Sequence, residues 1–535
     1  MLRQLRNLHL LISPNAANYQ MIKTTKYNLN QQFMAMTKHL LPSLFLLIIS
    51  LCGSSLYAQS YLITDFGAKE DPKLNNAVFI QKTIDKAAIK GGTVVVPAGT
   101  FITGSIHLKS NVTLQLNKNA ILKGIASKEA YPSFPILHPL HTTSGQSGHA
   151  LIYASQARNI SITGEGTIDG NGEDPIFDTK SNPNTMRPYG LLIDGCTNVT
   201  ISGIYMQNSA MWMQRYLNCN FLRITGIKVF NHANINNDGL DIDDCQNVII
   251  SDCIIDADDD ALCFKSEGDH GVRNAVITNC ILATHASAFK FGTGSTTGFE
   301  DIQFSNSVIR QSLATNMKHP FKQKSGLTGI DIASSDGAVI RNINISNISI
   351  DSLENPIFIK LGNRLRRTSI TPEGKIGSID GIRFSQISIK NGGRSPATIT
   401  GFPENYISNI SFRDIFIEHN GGGVAKDTVL TVPENADQYP GTRMFKRTLP
   451  ATGFYVRHVK GITFDRVHFT LKAADPRPAF VFDDIEALQM NGLKIEGMSP
   501  KAAIMIKDSK DAVFNLSGGD AGMIRQINAK AVVIK

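Results

Sequence analysis

Short runs of alternating apolar and polar residues recur along most of the chain. The segments "CTNVTISGIYMQN" (196–208), "CNFLRITGIKVFN" (219–231), "CQNVIISDCIIDA" (245–257) and "NAVITNCILA" (274–283) follow one plan. Each holds a short strand of period-two alternation, a polar or small pair, and a second short strand. The residue in the place of Gly203 recurs as Gly226, Cys253, Cys280, Ser307, Ile348, Ile387, Ile415, Val467 and Leu493. The steps are 23, 27, 27, 27, 41, 39, 28, 52 and 26 residues. Such a period leaves no room for a helix in each unit. It predicts an all-β chain, a right-handed parallel β-helix with coils stacked about 4.8 Å apart and loops inserted at the long steps.

Other positions fit that ladder. Cys196, Cys219 and Cys245 fall in one column and Cys253 and Cys280 in another, which reads as stacked buried thiols. Asn111, Asn159, Asn198, Asn247, Asn342 and Asn409 each precede a strand and read as stacked turn residues. The segment 75–92 has Val78, Ile80, Ile84, Ala87 and Ile89 near helical spacing and ends in Gly91-Gly92. This predicts a short helix, about 75–90, that caps the open end of the core. The longest insertion, about 420–453, is polar and rich in Gly and Pro, a candidate wall over a site.

Charge changes the picture only at the front. Residues 1–58 carry Arg3, Arg6, Lys23, Lys26 and Lys38 and no acid, leaving 48 basic against 45 acidic residues in the rest, a balance of +3. The formal +8 therefore points to no nucleic-acid partner. Within 38–60 an apolar run follows Lys38 and ends in small residues, a secretory signal with cleavage near Ala58. The expectation is a leader over 1–58 and one catalytic β-helix domain over 59–535. The mature protein would be a periplasmic or extracellular monomer, off the membrane once the signal is cut.

The chemistry concentrates where carboxylates crowd. "DADDDALCFKS" (256–266) follows "NINNDGLDIDD" (234–244) by one coil, and "THASAFKFGTG" (284–294) follows it by another. Asp238 and Asp260 are 22 residues apart, His285 lies 25 beyond Asp260, and Lys265 and Lys290 are 25 apart. This spacing predicts Asp238, Asp259, Asp260, Lys265, His285 and Lys290 on one patch. Carboxylates, an imidazole and lysines together suit chemistry on an acidic sugar. Asp256 and Asp258 read as turn residues.

At these residues the chain resembles glycoside hydrolase family 28, the polygalacturonases and their rhamnogalacturonan-cleaving relatives. The motif residues are Asn236-Asn237-Asp238-Gly239-Leu240-Asp241 and Asp258-Asp259-Asp260. The opening coil after Thr64 and "NPIFIKLGNR" (355–364) resemble the family as well. The resemblance implies an inverting hydrolase of pectin or another acidic polysaccharide. Asp259 would be the general acid, Asp238 and Asp260 would hold and deprotonate water, and no metal or cofactor would be required. Asn236, Asp241, Lys265 and His285 would take part in binding the substrate, Asp241 as a support behind the other acids. An inverting pair stands roughly 6.5–9.5 Å apart to admit that water. Two departures stand out. The family's histidine falls at His285 or, on another alignment, at Ser287. Its Arg-Ile-Lys, which holds the substrate carboxylate, has no match, and Asp331 stands in the expected coil. Lys290, Arg364 or Arg457 would then bind the carboxylate, or the sugar there is a different one. Two alternatives remain open. One is a calcium-dependent polysaccharide lyase with Asp238, Asp241 and Asp260 as ligands and Lys265 as base. The other is a non-catalytic carbohydrate-binding β-helix.

Overall fold

Each strand–turn–strand unit pairs with the unit one period away. The computed structural model describes residues 59–535 except 142–147, 181, 321–324, 367–373, 499–502 and 517–520. The expected leader and its cleavage point near Ala58 lie outside the described residues. The strands pair in parallel and form three sheets around one apolar core, a right-handed parallel β-helix. One coil shows the plan: Leu240–Asp243, Gln246–Ser251 and Ile254–Ala257 each pair with a strand of the next coil.

Register corrects part of the repeat series. Ser307, Ile348, Ile387, Ile415, Val467 and Leu493 do stand in one inward column, with Cys280 and Cys253 beneath. Below Cys253 that column continues through Ile227 and Ile204, one residue past Gly226 and Gly203. Those glycines are the turn itself, at φ of 63° and 74°, and their counterpart in the next coil is Asp252 at 59°. The small Cys253 took the place of a turn glycine in the pattern. The Asn positions are turns of the same left-handed kind, with φ between 55° and 62°. Their amides link rung to rung: Asn159 donates to Asn111 at 2.9 Å and Asn198 to Asn159 at 3.0 Å. Asn tolerates this backbone better than other side-chain-bearing residues. The cysteines at 196, 219, 245, 253, 263 and 280 are buried free thiols.

The front cap is helix α1, Ala77–Ala88, which buries Ile80, Thr83, Ile84 and Ala87. Val78 and Ile89, expected on that face, are exposed. At about 100° per residue each lies on the side opposite Ile80.

One sheet positions the site. Its strands are β1 (Gln214–Leu217), β2 (Leu240–Asp243), β3 (Leu262–Ser266), β4 (Ser287–Ser295), β5 (Thr328–Ser334) and β6 (Asn355–Leu361). Side chains alternate between faces. Inward, Leu240, Leu262, Phe289, Ile330 and Ile357 stack on one another beside Ile242, Phe264, Phe291, Ile332 and Ile359. Outward, the same strands stack Arg215, Asp241, Cys263, Lys290, Asp331 and Phe358. Beyond Phe358 the outward column runs through Thr398, Tyr455, Val481 and Met505. There the long loop lies on it through Val432, Met444, Phe445 and Leu449.

Candidate active site

The acids stand on the turns that lead into β2 and β3. Gly239 N–H donates to the Asp260 carbonyl at 2.9 Å, which seats the Asp238 rung on the Asp260 rung. A Cβ at Gly239 would lie 2.4 Å from Ile255 Cγ2 and 2.7 Å from the Ala261 carbonyl, so only glycine fits. Asn237 is buried, and its amide donates to the Ser209 and Met211 carbonyls at 2.9 and 2.8 Å. Asn231 donates to the Asp238 carbonyl at 3.0 Å. Oxygens of Asp238, Asp259 and Asp260 all lie within 4.8 Å of one another.

The three carboxyls differ in surroundings. Burial, then Asp241, Asp259 and Asp260, push Asp238 well above the usual carboxylate range. Its Oδ1 is buried without a hydrogen bond. Burial and Asp260 raise Asp259, while His319, Lys290 and Lys265 pull it back. Asp259 is the least buried of the three. Asp260 has fixed partners: Lys290 Nζ donates to Oδ2 at 2.8 Å and Ser287 N–H to Oδ1 at 3.2 Å. Crowding thus raises two of the acids, and the ammonium sits on the third.

The register between β3 and β4 is 27 residues, not 25, which moves two expected neighbours. Lys290 stands over Cys263, and Lys265 belongs to the adjacent column. Lys265 Nζ lies 3.2 Å from Asp241 Oδ1 and 4.5 Å from the Trp212 ring centroid. Burial pushes Asp241 up to about 7 against the pull of Lys265. The same register stacks His285 on Asp258 instead of Asp260. His285 is fully buried, with Nδ1 3.0 Å from Asp258 Oδ1, and is not among the residues lining the cavity beside Asp259. Asp258 also accepts from the Lys318 N–H, and Asp256 lies 3.0 Å from His232 Nε2. Burial opposes it, but bonds from His232, His285 and Lys318 hold Asp258 at about 2. Asp258 stands in the turn, whereas Asp256, expected there too, lies within the strand Ile254–Ala257.

Ser287 takes the place expected for His285. It lines the cavity with Asp259, Asp260, Lys290 and Asp331. Its Oγ donates to Asp331 Oδ2 at 3.0 Å, and Asp331 Oδ1 is buried without a hydrogen bond. Burial pushes Asp331 up to about 7, with Lys290 pulling the other way. Asn236 faces Arg187, which donates to its Oδ1 at 3.1 Å. The two expected arginines are elsewhere. Arg364 is paired with Asp336 and donates to the Thr293 carbonyl. Arg457 is paired with Glu434 and donates to the Val432 carbonyl. Neither lines the cavity, and Lys290, which does, holds Asp260 and Tyr439. Among the cavity's lining residues not picked out from the sequence are three with titratable side chains: His319, Tyr439 and Arg443. His319 lies in the insertion of the 41-residue step. Tyr439 and Arg443 belong to the 420–453 loop, which does form a wall.

The family model described as glycosyl hydrolases family 28 matches residues 87–436. A probable polygalacturonase of Vitis vinifera is 27% identical over 296 residues, which cover 51% of this chain and 58% of that one. An exo-poly-alpha-D-galacturonosidase of Dickeya chrysanthemi is 27% identical, covering 47% of this chain and 50% of that one. The match thus spans about half the length of these relatives. Among solved structures, the family 28 exopolygalacturonase of Yersinia enterocolitica has a TM-score of 0.57 at 20% identity, covering 89% of this chain and 78% of that one. That likeness concerns the fold.

Proposed function

The chain belongs to glycosyl hydrolases family 28, and on that premise we propose that it hydrolyses α-glycosidic bonds of polygalacturonan or a related acidic pectic polysaccharide. The observation that carries this reading is the triad of carboxyls on adjacent rungs, with Asp259 and Asp260 opening on the cavity. Asp259, raised and partly exposed, protonates the glycosidic oxygen. Asp260, paired with the Lys290 ammonium at 2.8 Å, takes the proton of the attacking water, and Asp238 helps to hold that water. The lyase reading fares worse. Burial opposes the charged form of Lys265, yet Cys263, Asp241, Asp238 and Asp260 raise its pKa well above the ordinary value. An ammonium held that firmly is a poor base. Its contact with Asp241, and that of Lys290 with Asp260, also occupy oxygens that calcium would need.

The mechanism proposed inverts the anomeric centre, and a double displacement would retain it. Proton NMR of the first product from an α-linked oligogalacturonate separates the two: inversion gives the β-anomer and retention the α-anomer. The broader reading is tested with homogalacturonan and rhamnogalacturonan. New reducing ends without unsaturated uronides support it, unsaturated products make the protein a lyase, and binding without cleavage makes it a carbohydrate-binding β-helix.

A further inference from the structure

Among the described residues, the outward face of the site sheet is covered on both sides of the acids. Below the acids that face carries Tyr153, Leu192 and Trp212, and the segment 131–141 lies across it. Phe134 stacks on Tyr153 with ring centroids 4.1 Å apart. The segment is tied down farther along: Leu137 N–H donates to Asp194 at 2.9 Å, and His138 Nε2 lies 2.8 Å from Asp244 Oδ2. Above the acids the column turns to Phe358, Tyr455 and Val481, each at most 1% exposed under the 420–453 loop. Between these covers the rungs of Asp241 and Cys263 are fully buried, and those of Lys290 and Asp331 line the cavity. One rung spacing of about 4.8 Å separates these two, so the open floor is short.

That floor is also deep. Asp238, Asp260, Lys290 and Asp331 are each at most 5% exposed. Tyr439, which accepts from Lys290 at 3.4 Å, projects at the mouth with 60% of its surface exposed. An aromatic face at a rim suits the apolar face of a sugar ring. A polymer running along the coils would need open floor on both sides of the acids. Here it would meet the 131–141 segment at one end and the loop at the other.

Resting on the glycosidase reading above, we propose that this site takes chain ends and short oligosaccharides, so that the enzyme removes small units from a terminus and does not cut within a polymer. The two covers are the specificity-determining parts, and Tyr439 receives the sugar that enters.

The test uses the wild-type protein with homogalacturonan and with a galacturonate hexamer, free or capped at the non-reducing or the reducing end. Expected are one small product from the first turnover, viscosity that falls late, and a cap at one end that slows cleavage by about a hundredfold or more. A ladder of intermediate oligomers at the outset, with both capped hexamers cut as fast as the free one, would overturn the proposal and leave the hydrolase reading standing. If nothing is cut, the hydrolase reading fails by itself, and calorimetry of the same hexamers decides. Binding of the free hexamer about tenfold tighter than a capped one supports end recognition, and equal binding overturns it.

Discussion

The sheet that carries the site is one continuous structure with two different outer faces. From Leu240 to Ile357 and on to Phe480 and Ile504 its inward column is apolar throughout, one residue per rung. The outward column changes character midway. Over the lower rungs it is Arg215, Asp241, Cys263, Lys290 and Asp331, and over the upper ones Phe358, Thr398, Tyr455, Val481 and Met505, with Thr398 a small polar residue among large apolar and aromatic ones. Both outward stretches are buried, at opposite energetic sign. Covering the upper face with Val432, Met444 and Phe445 removes apolar surface from water, worth about 1.5–3 kcal/mol per large side chain. In the lower stretch burial strips water from charges, which must find partners. They do so in sets: Arg215 with Asp243 at 2.6 Å and Glu267 at 3.0 Å, Lys265 with Asp241, Lys290 with Asp260. The upper coils hold the fold, and the lower ones hold chemistry that the fold tolerates.

Two substitutions should break that contrast most strongly. Asp259→Asn in the lower stretch should cut kcat by about 10²–10⁴, the usual worth of general acid–base catalysis, with Tm unchanged within error. Near-wild-type turnover in that variant would remove Asp259 from the acid's role. Phe358→Ala in the upper stretch should do the reverse. It leaves a hole under the loop and should lower unfolding free energy by about 3–5 kcal/mol in a denaturant titration. A loss under about 1 kcal/mol would mean that the loop contributes little to holding the sheet.

How much of this could be read from the sequence follows the same division. The inward ladder was legible because its period is set by strand alternation and coil length. The motif acids were legible because Asp238 and Asp260 are one 22-residue coil apart, and the register agrees. Lys265, Lys290 and His285 were placed by a 25-residue step where the coil takes 27, and two residues move a side chain to another rung neighbour. Arg364 and Arg457 were candidates by type alone. Their partners, Asp336 and Glu434, are set by contacts between coils that no local pattern records. His319, Tyr439 and Arg443 come from insertions, whose path over the sheet is not periodic. Only the polar, Gly- and Pro-rich composition of 420–453 hinted at one of them.

Lys290→Met sharpens the contrast by removing one charge from the lower stretch. It leaves the Asp260 carboxylate buried without its ammonium, a loss of about 3 kcal/mol or more for a broken buried pair. The activity profile carries the more specific sign. Lys290 pulls Asp259 down, so without it Asp259 rises further. The acid then stays protonated to higher pH, and the alkaline limb of kcat/KM should move upward. A limb that moves downward or stays fixed would show that Lys290 does not act on the general acid. A raised KM for acidic oligosaccharides with the limb unmoved would assign Lys290 to the substrate carboxylate instead.

The smallest effect concerns Asp331, the last acid before the outward column turns apolar. Its carboxyl is pushed up to about 7 by burial, although Lys290 opposes the shift. The unfolded chain releases that proton near the ordinary value, about 3.9. Between these two values the folded protein binds more protons than the unfolded one, so stability falls as pH rises. From about pH 5 to about pH 7 this one group should cost the wild type about 2 kcal/mol. Asp331→Asn keeps the shape, has no proton to lose, and should be free of that decline. Unfolding free energies of wild type and variant should therefore draw apart by about that amount across the interval, with the variant gaining as pH rises. Parallel curves would mean that Asp331 is ionised in the folded protein at pH values where its burial calls for a proton. A second anion would then stand beside Asp260, and Lys290 would be shared between them. The expected divergence leaves a neutral carboxyl at the edge of the site, a hydrogen-bond donor where the family's Arg-Ile-Lys would place positive charge.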